Sequence, residues 1–188
     1  PGTTNSTGSP AHYDFSRQHI VAAAEGSLRR LGVEQLDTLL LHRPDLLCEP
    51  DEVAAAFAEL KAAGKVCDFG VSNFDWMQIR LLQQALDTPL VANQVQLSVL
   101  HSDLIAQGAM FNLAQDYSGA MGTLDYCRAE KISIQAWSPL AGGQLFAVNS
   151  QADARIRETA AYAAKLAEDR SVSVTEILLA WLLRHPAG

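Results

Sequence analysis

The chain has 188 residues, 48% hydrophobic and 19% charged, with 14 Lys and Arg against 21 Asp and Glu for a net charge of −7. That length suits one domain, or at most two small ones, and can bury roughly 70% of the unfolded surface without a disulfide or metal staple. The acid excess argues against nucleic acid or an anionic membrane as partner, and no apolar run approaches the ~20 residues needed to cross a bilayer. Three scattered cysteines (Cys48, Cys67, Cys127) cannot all pair; they fit a reducing cytoplasm rather than secretion or a zinc ribbon, and no charged-then-apolar leader opens the chain.

Residues 1–10 lack apolar periodicity and read as an exposed loop. From Ser16, a candidate N-cap, Ile20, Ala24, Leu28 and Leu31 fall at helical spacing, and Gly32 supplies a left-handed stop. Residues 36–41 form a short, nearly continuous apolar run of strand length, expected to be buried on both faces. Pro50 then suits a first helical position, Val53, Phe57 and Leu60 make one face, and Gly64 ends the turn. A second strand is expected over 66–71. A helix led by Asp75 follows, with Ile79, Leu82 and Leu86 inward, and a third strand over 90–95. Residues 98–121 show no clear element. A helix over 123–129, a fourth strand over 132–137 and helices over 154–168 and 174–185 complete the chain. Ser173 and Glu176 have the spacing of a capping box for the last of these.

Helix and short buried strand thus alternate four times, which means parallel pairing with right-handed crossovers. Either an open doubly wound sheet or a closed (β/α)8 barrel would satisfy this order. Each strand ends in polar residues: His42-Arg43-Pro44-Asp45, Ser72-Asn73, Asn93-Gln94, and Trp137-Ser138 followed by Pro139-Leu140-Ala141-Gly142-Gly143. A ring of polar groups from successive strand ends is how a barrel builds its site, whereas a doubly wound sheet concentrates chemistry at one glycine-rich turn. No G-x-G-x-x-G or G-x-x-x-x-G-K-[ST] is present. The barrel is therefore the expected architecture. Four strands cannot close an eight-stranded barrel, so an incomplete barrel, the central and C-terminal portion of a single domain spanning 1–188, is expected.

These motifs point to a family. Ser27-Leu28-Arg29-Arg30-Leu31 with Leu36-Asp37-Thr38-Leu39-Leu40-Leu41-His42-Arg43-Pro44-Asp45 resembles the aldo-keto reductase superfamily. So does Leu60-Lys61-Ala62-Ala63-Gly64-Lys65-Val66 running into Phe69-Gly70-Val71-Ser72-Asn73-Phe74. Asn93-Gln94-Val95, Ala136-Trp137-Ser138-Pro139-Leu140 and Ala180-Trp181-Leu182-Leu183-Arg184-His185-Pro186 follow in the expected order, and the chain resembles the bacterial branch of predicted oxidoreductases. The resemblance implies an α/β TIM barrel of which this chain supplies strands four to seven. It also implies NADPH-dependent reduction of aldehydes or ketones to alcohols by hydride transfer.

Of the family's catalytic Asp, Tyr, Lys and His, only the histidine has a counterpart here, His42. The other three are expected upstream of Pro1 and the adenosine-phosphate loop beyond Gly188, so the isolated chain is expected to be inactive. Tyr13 and Lys65 do not occupy the motif positions. Reduction builds negative charge on the carbonyl oxygen, and a strand-end histidine can orient and polarise it. The nicotinamide carboxamide offers one acceptor and two donors, for which the resemblance assigns Ser72, Asn73 and Gln94. Trp137 is assigned to stack on the nicotinamide ring, while Ser138, Leu140, Gly142 and Gly143 lie in a loop whose amides are suited to the pyrophosphate. Asp37 and Asp45 are read as structural. No Cys/His spacing supports a metal site. The expected partner is a small carbonyl substrate, in the cytoplasm, with oligomeric state open. Two alternatives stand beside this reading: a nucleotide-binding regulatory relative without turnover, as in the β-subunits of voltage-gated potassium channels, and an unrelated barrel isomerase.

Overall fold

Strands form where the sequence runs apolar between helix stops. The computed structural model describes residues 13–108 and 122–186, so the expected opening loop and the end of the irregular stretch at 109–121 lie outside the described residues. Four strands, β1 (Leu36–Leu41), β2 (Val66–Ser72), β3 (Leu90–Gln96) and β4 (Ser133–Trp137), are neighbours in that order in one sheet. The chain divides into two compact units, Pro1–Gln94 with Glu130–Ser133, and Val95–Ala129 with Ile134–Gly188. Among the described residues no helix is long and apolar enough to cross a membrane.

In the first unit, β1 pairs parallel with β2 and β2 with β3. Helix α1 (Arg17–Leu31) starts where the Ser16 side chain accepts from the His19 amide and stops at left-handed Gly32, φ 68°. Its Ile20, Ala24 and Leu28 are buried, but Leu31 is 66% exposed. Helix α2 (Pro50–Ala62) has Pro50 in its first turn and buries Val53, Phe57 and Leu60, with the Phe57 ring stacked on Phe69 at 4.0 Å. Helix α3 (Trp76–Ala85) is capped reciprocally by Asp75 and Gln78. Leu86, expected to point inward, is instead its half-buried C-cap residue. β1 also departs from expectation. Asp37 and Thr38 are exposed and only Leu39 and Leu41 are buried, so the expected burial on both faces is met only toward the end of the strand.

Two features of β2 and β3 shape their carboxyl ends. Gly70 lies where an added Cβ would come within 2.6 Å of the Ala92 carbonyl oxygen, so only glycine lets the strands close here. Next to it the register shifts: Phe69 pairs with Leu90 but Val71 pairs with Asn93, placing one extra residue in β3. Strict alternation along β3 is lost at this bulge, and Ala92 and Asn93 are both buried although adjacent.

In the second unit, the short helices α4 (Asp103–Gly108) and α5 (Thr123–Ala129) precede β4, and α6 (Ala154–Arg170) and α7 (Val174–Leu182) follow it. Leu145, Ala163 and Leu178 form a core against which Leu140, Ile156 and Ile177 pack. Ser173 and Glu176 make the expected capping box. Helix α7 ends three residues earlier than the apolar pattern predicts. Its last turn tightens, with Arg184 and His185 amides donating to Trp181 and Leu182 carbonyls, and Pro186 disfavours helical geometry in the residue before it.

Candidate functional site

At the carboxyl ends of β1, β2 and β3 the first unit draws four of the expected residues into one hydrogen-bonded rim. Ser72 closes β2 opposite Gln94 in the parallel register. Its hydroxyl, on a side chain only 2% exposed, donates to the Gln94 carbonyl oxygen at 2.8 Å. The next residue, Asn73, turns into the left-handed region at φ 62°, a conformation asparagine adopts more readily than most residues. Its backbone N–H donates to the same Gln94 oxygen at 2.8 Å. Its side-chain Nδ2 donates to Ser72 Oγ at 2.9 Å and to the backbone oxygen of His42 at 3.2 Å. One asparagine thus fastens the ends of three strands, and the exposed His42 sits beside it.

The following residue, Phe74, is held at both its backbone groups. Asn93, fully buried, donates from Nδ2 to the Phe74 carbonyl oxygen at 2.8 Å and accepts from the Phe74 amide at Oδ1 at 3.5 Å. The Phe74 ring lies parallel to Phe15 with centroids 6.4 Å apart. Sequence reasoning places Asn93 at a strand end but assigns it no task. The available signal is its type, since asparagine is disfavoured inside a strand and, when buried there, needs partners for its amide.

The loop after His42 is shaped by Asp45. This carboxylate accepts from the Phe15 and Leu47 amides at 3.2 and 3.0 Å, so its work is structural, in keeping with its type and place. Burial, reinforced by the nearby Asp45 and Glu49 charges, pushes the Cys48 thiol above its ordinary pKa. Lys65 is engaged elsewhere, 2.6 Å from Glu25, whose carboxyl it holds below the usual range through a side-chain hydrogen bond and its charge.

The other expected residues belong to the second unit. Trp137 ends β4 half-buried, and its carbonyl oxygen accepts from the Leu97 amide at 3.5 Å. Ser138, Ala141, Gly142 and Gly143 all have positive φ, at 51°, 51°, 63° and 83°. At both glycines an added Cβ would meet nothing within 4 Å, so glycine is favoured by backbone angle rather than by crowding. The run is a tight 3-10 turn, Ala141–Gly143, and not an open loop. Its own geometry uses two of the amides: Ala141 donates to the Ser138 carbonyl and Gly143 to that of Leu140, each at 2.9 Å. Leu140 packs its side chain against the unit's core, which leaves its backbone as the part suited to a ligand.

The family model for the aldo/keto reductase family matches residues 6–188. The chain belongs to the aldo/keto reductase family. It is 41% identical over 177 residues to an uncharacterized oxidoreductase, YcsN, of Bacillus subtilis, covering 94% of this chain and 54% of that protein. It is 36% identical to a 6-dehydroglucose reductase of Agrobacterium fabrum, covering 100% and 56%. Among solved structures, an aldo/keto reductase from Klebsiella pneumoniae in complex with NADP and acetate matches with a TM-score of 0.64 and 30% identity, over 88% of this chain and 51% of that one. The chain spans about half the length of the curated relatives it matches. The fold is that of the α/β (β/α)8 barrel, and the described residues carry four strands of it, the first three paired in parallel.

Proposed function

We propose that the complete protein containing this chain is an NADPH-dependent reductase of aldehydes or ketones, with this aldo/keto reductase segment supplying strands four to seven of a single barrel domain in the cytoplasm. The observation that carries the reading is the rim of Ser72, Asn73 and Gln94 beside His42, whose donor and acceptor set suits a carboxamide. A carboxamide has two N–H donors and one carbonyl acceptor. Ser72 Oγ donates one bond and accepts one within the rim, which leaves a second hydroxyl lone pair by chemistry. Asn73 uses its Nδ2 donors within the rim and carries an acceptor at Oδ1, while the Gln94 side-chain amide carries both a donor and an acceptor. The NADP complex of the Klebsiella relative supports the choice of cofactor.

When bound, the nicotinamide supplies hydride to the carbonyl carbon. In this reading His42 orients the carbonyl and donates a hydrogen bond to its oxygen as negative charge develops there, the interaction that lowers a barrier of this kind. In the second unit Trp137 offers a flat face for the nicotinamide ring. Around the turn after it, the backbone of Ser138, Leu140 and Gly142 offers amides for phosphate. Gly143 contributes its left-handed backbone rather than its N–H, which the turn already uses.

Two measurements on the complete protein test this. Addition of NADPH should quench protein fluorescence saturably, and His42→Ala should lower kcat/KM for a carbonyl substrate by about tenfold or more, with NADPH binding retained. Unchanged kinetics would remove the role given to His42. Saturable NADPH binding without turnover in the wild type would replace the enzyme by a nucleotide-binding regulator.

A further inference from the structure

We propose that Asn93 is a positioning residue for the rim, acting through the Phe74 peptide to hold Asn73 left-handed and its amide on His42 and Ser72. This rests on the reading of that rim as a carboxamide site, but its geometric part stands independently of any ligand. A fully buried side-chain amide inside a strand must be paired or it costs about 1–3 kcal/mol. Asn93 finds its partners at the two backbone groups of one residue, donating to the Phe74 oxygen at 2.8 Å and accepting, more weakly, from the Phe74 amide at 3.5 Å. Phe74 lies just past the end of β2, where the chain has left the ladder. The Asn93 amide thus substitutes for the strand neighbour that this peptide lacks.

The bulge makes this possible. From Phe69 to Val71 β2 advances two residues, while β3 advances three, from Leu90 to Asn93. With regular pairing the side chain after buried Ala92 would face the opposite side of the sheet. The extra residue restores a buried position at Asn93, directly below the departing chain. Asn73 is then fixed on both sides: its own N–H is bonded to Gln94, and beyond it Asn93 holds the N–H of the next peptide at 3.5 Å and the Phe74 carbonyl that follows at 2.8 Å. A left-handed residue returns to negative φ when such restraints are lifted. That rotation would withdraw Nδ2 from the His42 carbonyl and the Ser72 hydroxyl. The influence of Asn93 on the rim is therefore indirect, passing through the Phe74 peptide that its amide holds.

The test uses the complete protein with Asn93→Ala, Asn73→Ala and the double variant. Residue-resolved amide exchange gives a readout that needs no cofactor. In Asn93→Ala the Asn73 and Phe74 amides should exchange at least about tenfold faster, while Val71 inside the ladder keeps its protection. The NADPH dissociation constant should rise by about tenfold in Asn93→Ala, the size expected for losing one buried polar partner. The KM for the carbonyl substrate should stay within about twofold. In the Asn73→Ala background, removing Asn93 should add less than about twofold to the NADPH dissociation constant, since the two act in series. Should Asn93→Ala fail to fold, Asn93→Ser keeps a hydroxyl able to donate to Phe74 and should give the same pattern at smaller amplitude. Unmoved Asn73 exchange, or equal losses of NADPH affinity in both backgrounds, overturns the positioning role. Faster exchange in a protein whose wild type does not bind NADPH leaves that role standing and overturns the carboxamide reading instead.

Discussion

Glycine to alanine at two buried positions should shift stability in opposite directions, and the surroundings of each decide which. An alanine Cβ at Gly70 would lie 2.6 Å from the Ala92 carbonyl oxygen, 2.6 Å from Leu40 Cδ2 and 3.3 Å from the Ala92 carbonyl carbon. Leucine can change rotamer, but a carbonyl oxygen in the facing strand moves only if the strands part beside the bulge. Overpacking of this kind costs about 1–3 kcal/mol, against about 0.4–1 kcal/mol gained from the stiffer unfolded chain. Gly70→Ala should therefore lose roughly 0.5–2.5 kcal/mol. At Gly26, inside α1, the nearest atom to a new Cβ is Arg30 Nη1 at 3.1 Å, the far end of a flexible side chain. There the helical preference for alanine, about 0.5–1 kcal/mol, should prevail.

In a domain of about 150–250 residues each kcal/mol moves Tm by about 2–4 °C, and in a larger barrel domain by less. Urea denaturation and thermal melts of the complete protein should show Gly70→Ala below wild type and Gly26→Ala at or above it. Because Gly70 sits two residues before Ser72, the first variant should also weaken NADPH binding. A Gly70→Ala protein as stable as wild type, or two variants displaced in the same direction, would refute the crowding argument.

Charge and capping set two further outcomes. Lys65 holds the Glu25 carboxyl below its usual range, so the associated stabilisation is complete above the unfolded carboxylate pKa and is lost as pH falls through the lowered folded value. Melts of wild type and Lys65→Met should thus differ by a constant amount near neutrality and converge as pH drops below roughly 4; a gap that widens in acid would contradict the sign. Ser173→Ala removes the hydroxyl that accepts from the Glu176 amide and that bonds the Glu176 carboxylate at 2.7 Å. It should cost about 1 kcal/mol, read as a lower urea midpoint with an unchanged slope.

Most element boundaries are legible in the sequence because caps carry local physics. Ser16, Pro50, Asp75 and Ser173 each start a helix for a reason that needs only the next few residues. Gly32 and Gly64 stop one by adopting positive φ. Where the signal depends on distant neighbours, it fades. Six-residue α4 offers less than two turns of periodicity, too few to separate it from loop. The burial of β1 depends on what covers it rather than on its own leucines. For the same reason the bulge between β2 and β3 is invisible in the sequence: a register shift is a relation between strands, and neither strand's composition encodes it.

The site is legible in its chemistry and hidden in its geometry. Residue type and strand-end position bring His42, Ser72, Asn73 and Gln94 to notice, but it is the family resemblance that assigns them a site, since Ser and Asn at such ends equally serve turns and caps. Their arrangement depends on Asn73 being left-handed, which local sequence permits but does not demand. Both Nδ2 donors of Asn73 are already engaged, by His42 and Ser72, and Ser72 in turn is engaged by Gln94. Such a rim is ordered before a ligand arrives, so binding need not first freeze its side chains, a cost of about 0.5–1.5 kcal/mol for each one immobilised. The ordering itself is inherited from the fold. The glycine at position 70 lets the strands close, the extra residue in β3 turns Asn93 inward, and the clamped Phe74 peptide leaves Asn73 its left-handed turn.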